Sequence, residues 1–118
     1  MILGIGVDLV DISRFEKAIN QTPKLKDRLF TESERQLATQ SLAARFAAKE
    51  ALVKAVGKAK GFSFQGVTVV KDGEGKPFFE LTGETEQTIK SHGIENLHLS
   101  LSHDGNTAVA YVVAEGAK

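Results

Sequence analysis

The sequence predicts an α+β fold in which an antiparallel sheet carries inserted helices. Strand-like runs occur at both ends and in the second half, helical patterns lie between them, and successive strands are joined by short glycine turns. The predicted order is β-α-α-α-β-β-α-β-β. With 118 residues, the chain is expected to form a single domain over residues 1–118.

The first strand is predicted over Ile2–Val10, a short apolar run rich in β-branched residues. Alternation places Asp8 on the same face as Gly4 and Gly6. Because glycine has no side chain, this face leaves room for a ligand or for another backbone to approach Asp8.

Three helices are predicted next. Asp11 can cap the first, over 12–20, and Thr31-Glu32-Ser33-Glu34 is a capping box opening a short helix toward Gln40. The third spans about 42–56 and ends at Gly57. Its small residues (Ala44, Ala48, Ala51 and Ala55) form a stripe that would permit close packing.

The second half contains four predicted strands and one helix. The expected elements are strands 67–71 and 77–81, a helix over 84–92 ended by Gly93, and strands 97–102 and 107–114 joined across Asp104-Gly105.

Composition excludes several classes of protein. The formal net charge is zero, so no global basic field for nucleic acid exists. The absence of cysteine excludes disulfides, thiolate catalysis and cysteine metal sites. No apolar run is long enough to span a bilayer, so we expect a soluble cytoplasmic protein with no nucleic-acid or membrane partner.

Glu50 interrupts the alanine-rich helix and precedes Lys54 by four residues. In one interpretation the two form a solvated helix pair worth a few tenths of a kcal/mol. In the other, Glu50 is a metal ligand and Lys54 binds phosphate. The helix has few solvated positions, which weakens the first interpretation but leaves both open.

Asp8 interrupts the first apolar strand and has the same two interpretations. An acid at a strand end often caps the following helix, but Asp11 is better placed for that role. A charge on an apolar element is costly unless it is paired or binds a metal. Asp8 and Glu50 together therefore suggest a hard-metal and phosphate site.

Four motifs resemble a known enzyme family over essentially the whole chain. They are Gly4-Ile5-Gly6-Val7-Asp8, the block from Arg45-Phe46-Ala47-Ala48-Lys49-Glu50 through Lys54-Ala55-Val56-Gly57, Gly75-Lys76-Pro77, and Leu99-Ser100-Leu101-Ser102-His103-Asp104. These motifs closely resemble the holo-acyl carrier protein synthase family of short bacterial 4′-phosphopantetheinyl transferases. The stretch between Phe30 and Leu42 is shorter than in many members.

The resemblance implies a Mg²⁺-dependent reaction that supports fatty acid biosynthesis. A serine hydroxyl of an apo acyl carrier protein attacks the coenzyme A phosphorus bonded to the pantetheine arm, giving holo carrier protein and 3′,5′-ADP. Asp8 and Glu50 would hold Mg²⁺, and Lys54 would add positive charge. Glu50 or a water molecule on the metal would take the serine proton.

The resemblance also implies contacts with coenzyme A and with the carrier. The expected coenzyme A residues are Arg45, Lys49, Lys54, Lys76, Pro77, Ser102 and His103. Lys58 and Lys60, between Gly57 and Gly61, could meet the 3′-phosphate or could simply be solvated. Arg14 is the leading candidate for contact with an acidic carrier. The family is usually homotrimeric, with active sites near subunit interfaces.

Two other functions compete with the transferase. A coenzyme A binding module would bind the nucleotide without modifying a carrier, although simple binding needs no paired metal carboxylates. In a structural oligomerisation domain, Asp8 and Glu50 would merely pair with Lys54 or Arg45. That version predicts that Glu50→Gln changes stability more than activity.

Overall fold

The computed structural model describes residues 1–57 and 60–117. The strands are β1 (Ile2–Asp11), β2 (Val67–Lys71), β3 (Pro77–Leu81), β4 (Ile94–Asp104) and β5 (Thr107–Gly116). The helices are α1 (Ile12–Gln21), α2 (Pro23–Leu29), α3 (Thr39–Val56) and α4 (Gly83–Ser91), with a 3₁₀ turn at Phe64–Gly66. The predicted element order and the antiparallel pairing are both confirmed.

The strands form two sheets. The larger has the order β1-β5-β4, and β2 pairs with β3 in a separate hairpin. Both ladders of the larger sheet are antiparallel, and Asp8 lies opposite Ala110 in the central strand. This register places Asp8 on β1, an edge strand of the sheet that packs on α3.

The glycine face of β1 packs directly on the backbone of α3. A Cβ atom added at Gly4 would collide with the carbonyl oxygen of Ala55, and one added at Gly6 would collide with that of Ala51. The space beside Asp8 is therefore filled by a helix backbone, one of the two predicted possibilities. This close packing of β1 on α3 requires small residues on both elements.

The core forms around α3, on which ten residues are buried. Alanines of this helix meet alanines and Val112 of β5 and the apolar residues of β2. Gly57 ends α3 with a φ of 88°, as the sequence predicted. In the described ranges, no helix is both long and apolar enough to cross a membrane.

The predicted second helix was placed wrongly. The structure has a helix at Pro23–Leu29, where proline occupies the first turn, and only turns over residues 32–37. Glu34 does bond to the Thr31 backbone N–H, at 2.9 Å, as a capping box would. The helix does not continue because the same carboxylate is drawn into a buried contact with Lys49, at 2.6 Å.

The other predicted boundaries hold to within a few residues. Asp11 caps α1 by accepting the Arg14 N–H at 2.9 Å. The strand β4 begins earlier and ends later than expected, and its hairpin turn is formed by Gly105 and Asn106.

Candidate active site

The packing of β1 on α3 brings Asp8 to Glu50 and Lys54. Gly4 contacts the helix at Ala55 and Gly6 contacts it at Ala51, so the two elements run in opposite directions. Two strand residues advance about as far as four helix residues. Asp8 therefore lies one turn nearer the start of α3, in the region of Glu50.

Asp8 is paired with Lys54. The Lys54 Nζ donates to Asp8 Oδ1 at 3.1 Å and to the Val7 carbonyl oxygen at 3.0 Å. The Asp8 side chain is 16% exposed and that of Lys54 is 53% exposed. The pair is thus open to solvent on the lysine side, where a phosphate could approach.

Glu50 is half-buried beside this pair. Burial raises the pKa of Glu50 above its usual value, the negative charge of Asp8 raises the pKa further, and Lys54 opposes both effects. Two carboxylates with a single lysine nearby form a locally acidic site. Such a site favours a cation.

The two acids line a cavity of about 560 Å³ whose other walls are largely apolar. Its walls come from β1, from α1 and α2, and from Phe46 of α3. The lining residues are Asp8, Leu9, Val10, Asp11, Arg14, Phe15, Ala18, Leu25, Leu29, Phe46 and Glu50. Arg14 therefore borders the same cavity as the predicted metal ligands.

Asn106 stabilises the start of α1, close to Arg14. Its Nδ2 donates to Asp11 at 2.9 Å, and its Oδ1 accepts from the N–H and the hydroxyl of Ser13 at 3.1 and 2.8 Å. The sequence analysis missed this residue. In the sequence, Asn106 is marked only as part of a hairpin turn, and its partner Ser13 lies 93 residues away.

A smaller cavity, of about 360 Å³, collects three of the residues predicted to contact coenzyme A. Arg45, Ser102 and His103 line it together with Gln40, Ser41, Ala44, Lys71 and Leu101. Arg45 is buried, which lowers the pKa of its guanidinium, and its Nε has no hydrogen-bond partner. The guanidinium donates through Nη1 to the Ser41 carbonyl oxygen at 3.4 Å, and the unpartnered Nε of a buried cation beside a cavity suits an anion.

Lys76 and Pro77 do not line either cavity. The turn before them is closed by Asp72, which accepts the N–H groups of Glu74 and Lys76 at 2.8 and 2.9 Å. The Lys76 N–H is therefore unavailable to a ligand, so only the Lys76 side chain could contact the nucleotide. Pro77 lies opposite Lys71 in the β2–β3 ladder, next to the smaller cavity.

Lys49 was predicted to contact coenzyme A, and the structure gives it a structural role instead. Its side chain has no exposed surface. The ammonium donates to Glu34 at 2.6 Å, to the Leu29 carbonyl at 2.9 Å and to the Phe64 carbonyl at 3.2 Å. All three donors are occupied inside the protein, which argues against the predicted contact with coenzyme A.

Glu34 completes this buried cluster and was also missed as a core residue. It accepts from the N–H groups of Thr31 and Val69, each at 2.9 Å, as well as from Lys49. Burial lowers the pKa of Lys49, and the bond to Glu34 opposes that change. The capping-box pattern marked Glu34, but only the tertiary structure reveals its partner.

The basic segment after α3 is described only in part. Lys58 lies outside the described residues. Lys60 is exposed, and its carbonyl accepts the Thr88 hydroxyl at 3.1 Å. The fit of Lys60 to a phosphate stays a prediction.

Asp8 and Glu50 suit a metal that needs few protein ligands. No group of three histidine or carboxylate side chains able to hold a metal occurs within residues 1–57 and 60–117. Mg²⁺ typically uses one or two carboxylates together with water and substrate phosphates. The chemistry of the pair therefore fits Mg²⁺.

Known proteins are similar to this chain in sequence and in fold. Residues 4–112 match the model of the 4′-phosphopantetheinyl transferase superfamily. A holo-[acyl-carrier-protein] synthase of Clavibacter sepedonicus is 51% identical, and the match covers 98% of each chain. The structure of such a synthase from Neisseria meningitidis superimposes with a TM-score of 0.90 and 35% identity, covering 98% of this chain and 99% of the other.

A structure of the Helicobacter pylori synthase contains coenzyme A and superimposes with a TM-score of 0.82. It is 32% identical, with 94% of this chain and 99% of that chain covered. Fold and site together define a transferase acting on phosphates. This chain belongs to the 4′-phosphopantetheinyl transferase superfamily. Within it, the similarity is to the holo-[acyl-carrier-protein] synthases.

Proposed function

We propose that this chain transfers the 4′-phosphopantetheine group from coenzyme A to a serine of an apo acyl carrier protein, in support of fatty acid biosynthesis in the cytoplasm. The observation that supports it most is that Asp8 and Glu50 line one cavity, with Lys54 bonded to Asp8, in a chain of this superfamily. Residues 1–118 would act as one transferase domain.

Asp8 and Glu50 would hold Mg²⁺. When bound, Mg²⁺ supplies charge neutralisation at the coenzyme A pyrophosphate. Glu50 suits this role because burial and the negative charge of Asp8 raise its pKa, so a bound cation would stabilise the ionised carboxylate. Lys54 would add a second positive charge near the phosphates, because its side chain is about half exposed at this site.

The reaction is a displacement at phosphorus. The carrier serine oxygen forms a bond to the phosphorus that bears pantetheine, the bond from that phosphorus to the bridging oxygen breaks, and 3′,5′-ADP leaves with that oxygen. The serine proton needs an acceptor. Of this chain's groups, Glu50 suits that role because a raised pKa makes a carboxylate a stronger base.

The smaller cavity would bind the phosphates of coenzyme A. Arg45 contributes a buried guanidinium with an unpartnered Nε, and Ser102 and His103 contribute polar groups from β4. Lys76 would reach the nucleotide from the adjacent hairpin turn, with Pro77 setting the start of β3. No carboxylate lines this cavity, within the part of the chain that the structure describes.

The two cavities support an active site shared between subunits. Arg45 and Glu50 project from α3 about 140° apart. In one protomer, the basic residues proposed to bind phosphate and the acids proposed to bind Mg²⁺ therefore face different directions. The outer face of the larger sheet also exposes Leu3, Ile5, Val7, Leu9 and Tyr111. We propose a homotrimer that buries this apolar face and brings the acidic cavity of one subunit to the basic cavity of its neighbour.

Arg14 would contact the carrier. It is exposed on α1 at the edge of the acidic cavity, on a helix whose start is fixed by Asp11 and Asn106. A cation at this position would attract an acidic carrier helix and guide its serine toward Asp8 and Glu50.

Intact-mass spectrometry tests the proposal. An apo acyl carrier protein is incubated with this chain, coenzyme A and Mg²⁺, beside a matched reaction with EDTA. We expect the carrier to gain one phosphopantetheinyl group only when the metal is present. Binding of coenzyme A without transfer to a proven carrier would favour the binding module, and absence of binding would favour the structural domain.

A further inference from the structure

The smaller cavity contains a contact that the sequence analysis did not assign. Gln40 Nε2 lies 3.2 Å from His103 Nδ1. Gln40 is the second residue of α3, and His103 is the penultimate residue of β4. Both side chains line the cavity with Arg45 and Lys71. The contact joins two rigid elements at the wall of a basic pocket.

The orientation of the Gln40 amide in this contact selects one tautomer of the imidazole. The Gln40 amide nitrogen faces the ring, and a carboxamide nitrogen only donates hydrogen bonds, so this orientation pairs with a His103 Nδ1 that accepts and carries no proton. In the neutral ring the proton then lies on Nε2. Phosphate oxygens accept hydrogen bonds, so an Nε2–H can donate to a phosphate whereas a bare nitrogen would repel it.

We propose that Gln40 is a positioning residue that holds His103 in the Nε2–H tautomer, so that the ring donates to a phosphate oxygen of coenzyme A. This inference rests on the proposed function, which places the coenzyme A phosphates in the smaller cavity. Gln40 acts through His103. It does not itself contact the ligand.

A purely structural role for Gln40 predicts something different. The bond between Gln40 and His103 is exposed, and an exposed hydrogen bond adds little to stability. Loss of a surface contact alone would leave the proton on the ring unaffected. The tautomer and its coupling to ligand binding therefore separate the two roles.

The first experiment measures the tautomer in the free protein. Long-range ¹H–¹⁵N correlation spectra are recorded at mildly alkaline pH, where an ordinary histidine is neutral, and the His103 signals are assigned with a His103→Gln variant. We expect a bare Nδ1 and a protonated Nε2. Gln40→Glu should reverse the pattern, because its carboxylate accepts from Nδ1–H. A protonated Nδ1 in the unaltered protein would overturn the proposal.

The second experiment is a double-mutant cycle in which calorimetry measures the dissociation constant for coenzyme A. Gln40→Leu should weaken binding about threefold to tenfold. The same substitution in a His103→Ala background should have no further effect, because Gln40 acts only through the ring. Thermal unfolding checks that each variant folds. A loss that persists without His103 would show direct contact by Gln40 and overturn the positioning role.

The outcomes also separate this inference from the proposed function. If His103→Ala binds coenzyme A as tightly as the unaltered chain, the positioning role fails while transfer to the carrier can persist. If the carrier is not modified at all, the proposed function fails, and the spectra still report whether Gln40 sets the tautomer.

Discussion

Two lysines of α3 pair with acids from other parts of the fold, and the two pairs can be compared directly. Lys49 meets Glu34 at 2.6 Å with both side chains buried, and Lys54 meets Asp8 at 3.1 Å at a partly exposed site. The two lysines are five residues apart, so they leave α3 in directions about 140° apart. One pair lies inside the fold, whereas the other faces a cavity.

The difference lies in unused hydrogen-bonding capacity. The Glu34 carboxylate accepts three bonds besides that from the Thr31 hydroxyl, and Lys49 makes three bonds. Across the described residues, Glu50 accepts no hydrogen bond and Asp8 accepts only from Lys54. A buried pair whose hydrogen-bonding groups are all occupied can only hold the fold together. A pair whose carboxylate oxygens are not all occupied can bind a ligand.

The largest expected effect comes from breaking the buried pair. Lys49→Met leaves Glu34 buried without a counterion and should lower the free energy of unfolding by about 3–5 kcal/mol in urea titrations. Adding Glu34→Gln removes the buried charge but keeps an acceptor for Val69, so the double variant should recover part of the loss. Lys54→Met is the matched control, with a loss below about 1 kcal/mol. A small loss in Lys49→Met together with weaker coenzyme A binding would restore the coenzyme A interpretation of Lys49.

Asp8→Asn should give the opposite result from Lys49→Met. The change removes a charge at the metal and phosphate site, and transfer measured by carrier mass should fall about 10²–10³-fold. The free energy of unfolding should change by less than about 1 kcal/mol because the Asp8–Lys54 pair is partly exposed. Retained turnover, or loss of folding, would contradict the assignment.

Glu50→Gln tests the cost of the unpaired carboxylate. Because the pKa of Glu50 is raised on folding, its favourable contribution is present below the unfolded pKa, near 4.3, and is lost as pH rises through the folded value. At neutral pH without Mg²⁺, the variant should therefore be as stable as the unaltered chain or slightly more stable. This difference in stability should vanish below about pH 4. The Glu50→Gln variant should also lose transfer to the carrier.

Thermal unfolding at both pH values measures the Glu50→Gln effect, with Glu86→Gln as the exposed control. Clear destabilisation of Glu50→Gln at neutral pH with retained transfer would show that Glu50 has a structural role and would overturn its assignment as a metal ligand.

Local patterns predicted the elements that depend on neighbouring residues. The alternation of β1, the Asp11 cap and the Gly57 helix end all follow from short sequence signals. Asp8 and Glu50 could also be brought together by reasoning, because Gly4 and Gly6 allow the strand to lie on the helix backbone.

Contacts between distant residues could not be predicted in this way. Lys49 sits beside Glu50 in the sequence, yet a rotation of about 100° around the helix sends it into the core instead of the cavity. Its partner Glu34 was assigned to a helix start because local capping and a buried pair both use the same carboxylate. The contacts of Gln40 with His103 and of Asn106 with Ser13 span 63 and 93 residues and leave no local pattern.

The smallest expected effect is at Arg14, an exposed residue at the rim of the acidic cavity. Arg14→Glu should raise the KM for the carrier about threefold to tenfold at low salt, because it reverses a charge facing an acidic partner. The difference should shrink as salt is added, since surface charges are screened. Steady-state kinetics at two salt concentrations measure both changes.

Lys17→Glu provides the matched control for Arg14→Glu, because it makes the same change in net charge on the same helix away from the cavity lining. The KM for the carrier should rise less in this variant, and coenzyme A affinity should stay unchanged in both. Equal effects of the two substitutions would mean that overall charge attracts the carrier. Weaker coenzyme A binding in Arg14→Glu would instead place the nucleotide, and not the carrier, against α1. That result would exchange the partners assigned to the two cavities and remove the reason for treating the Asp8–Lys54 side as the entrance for the carrier serine.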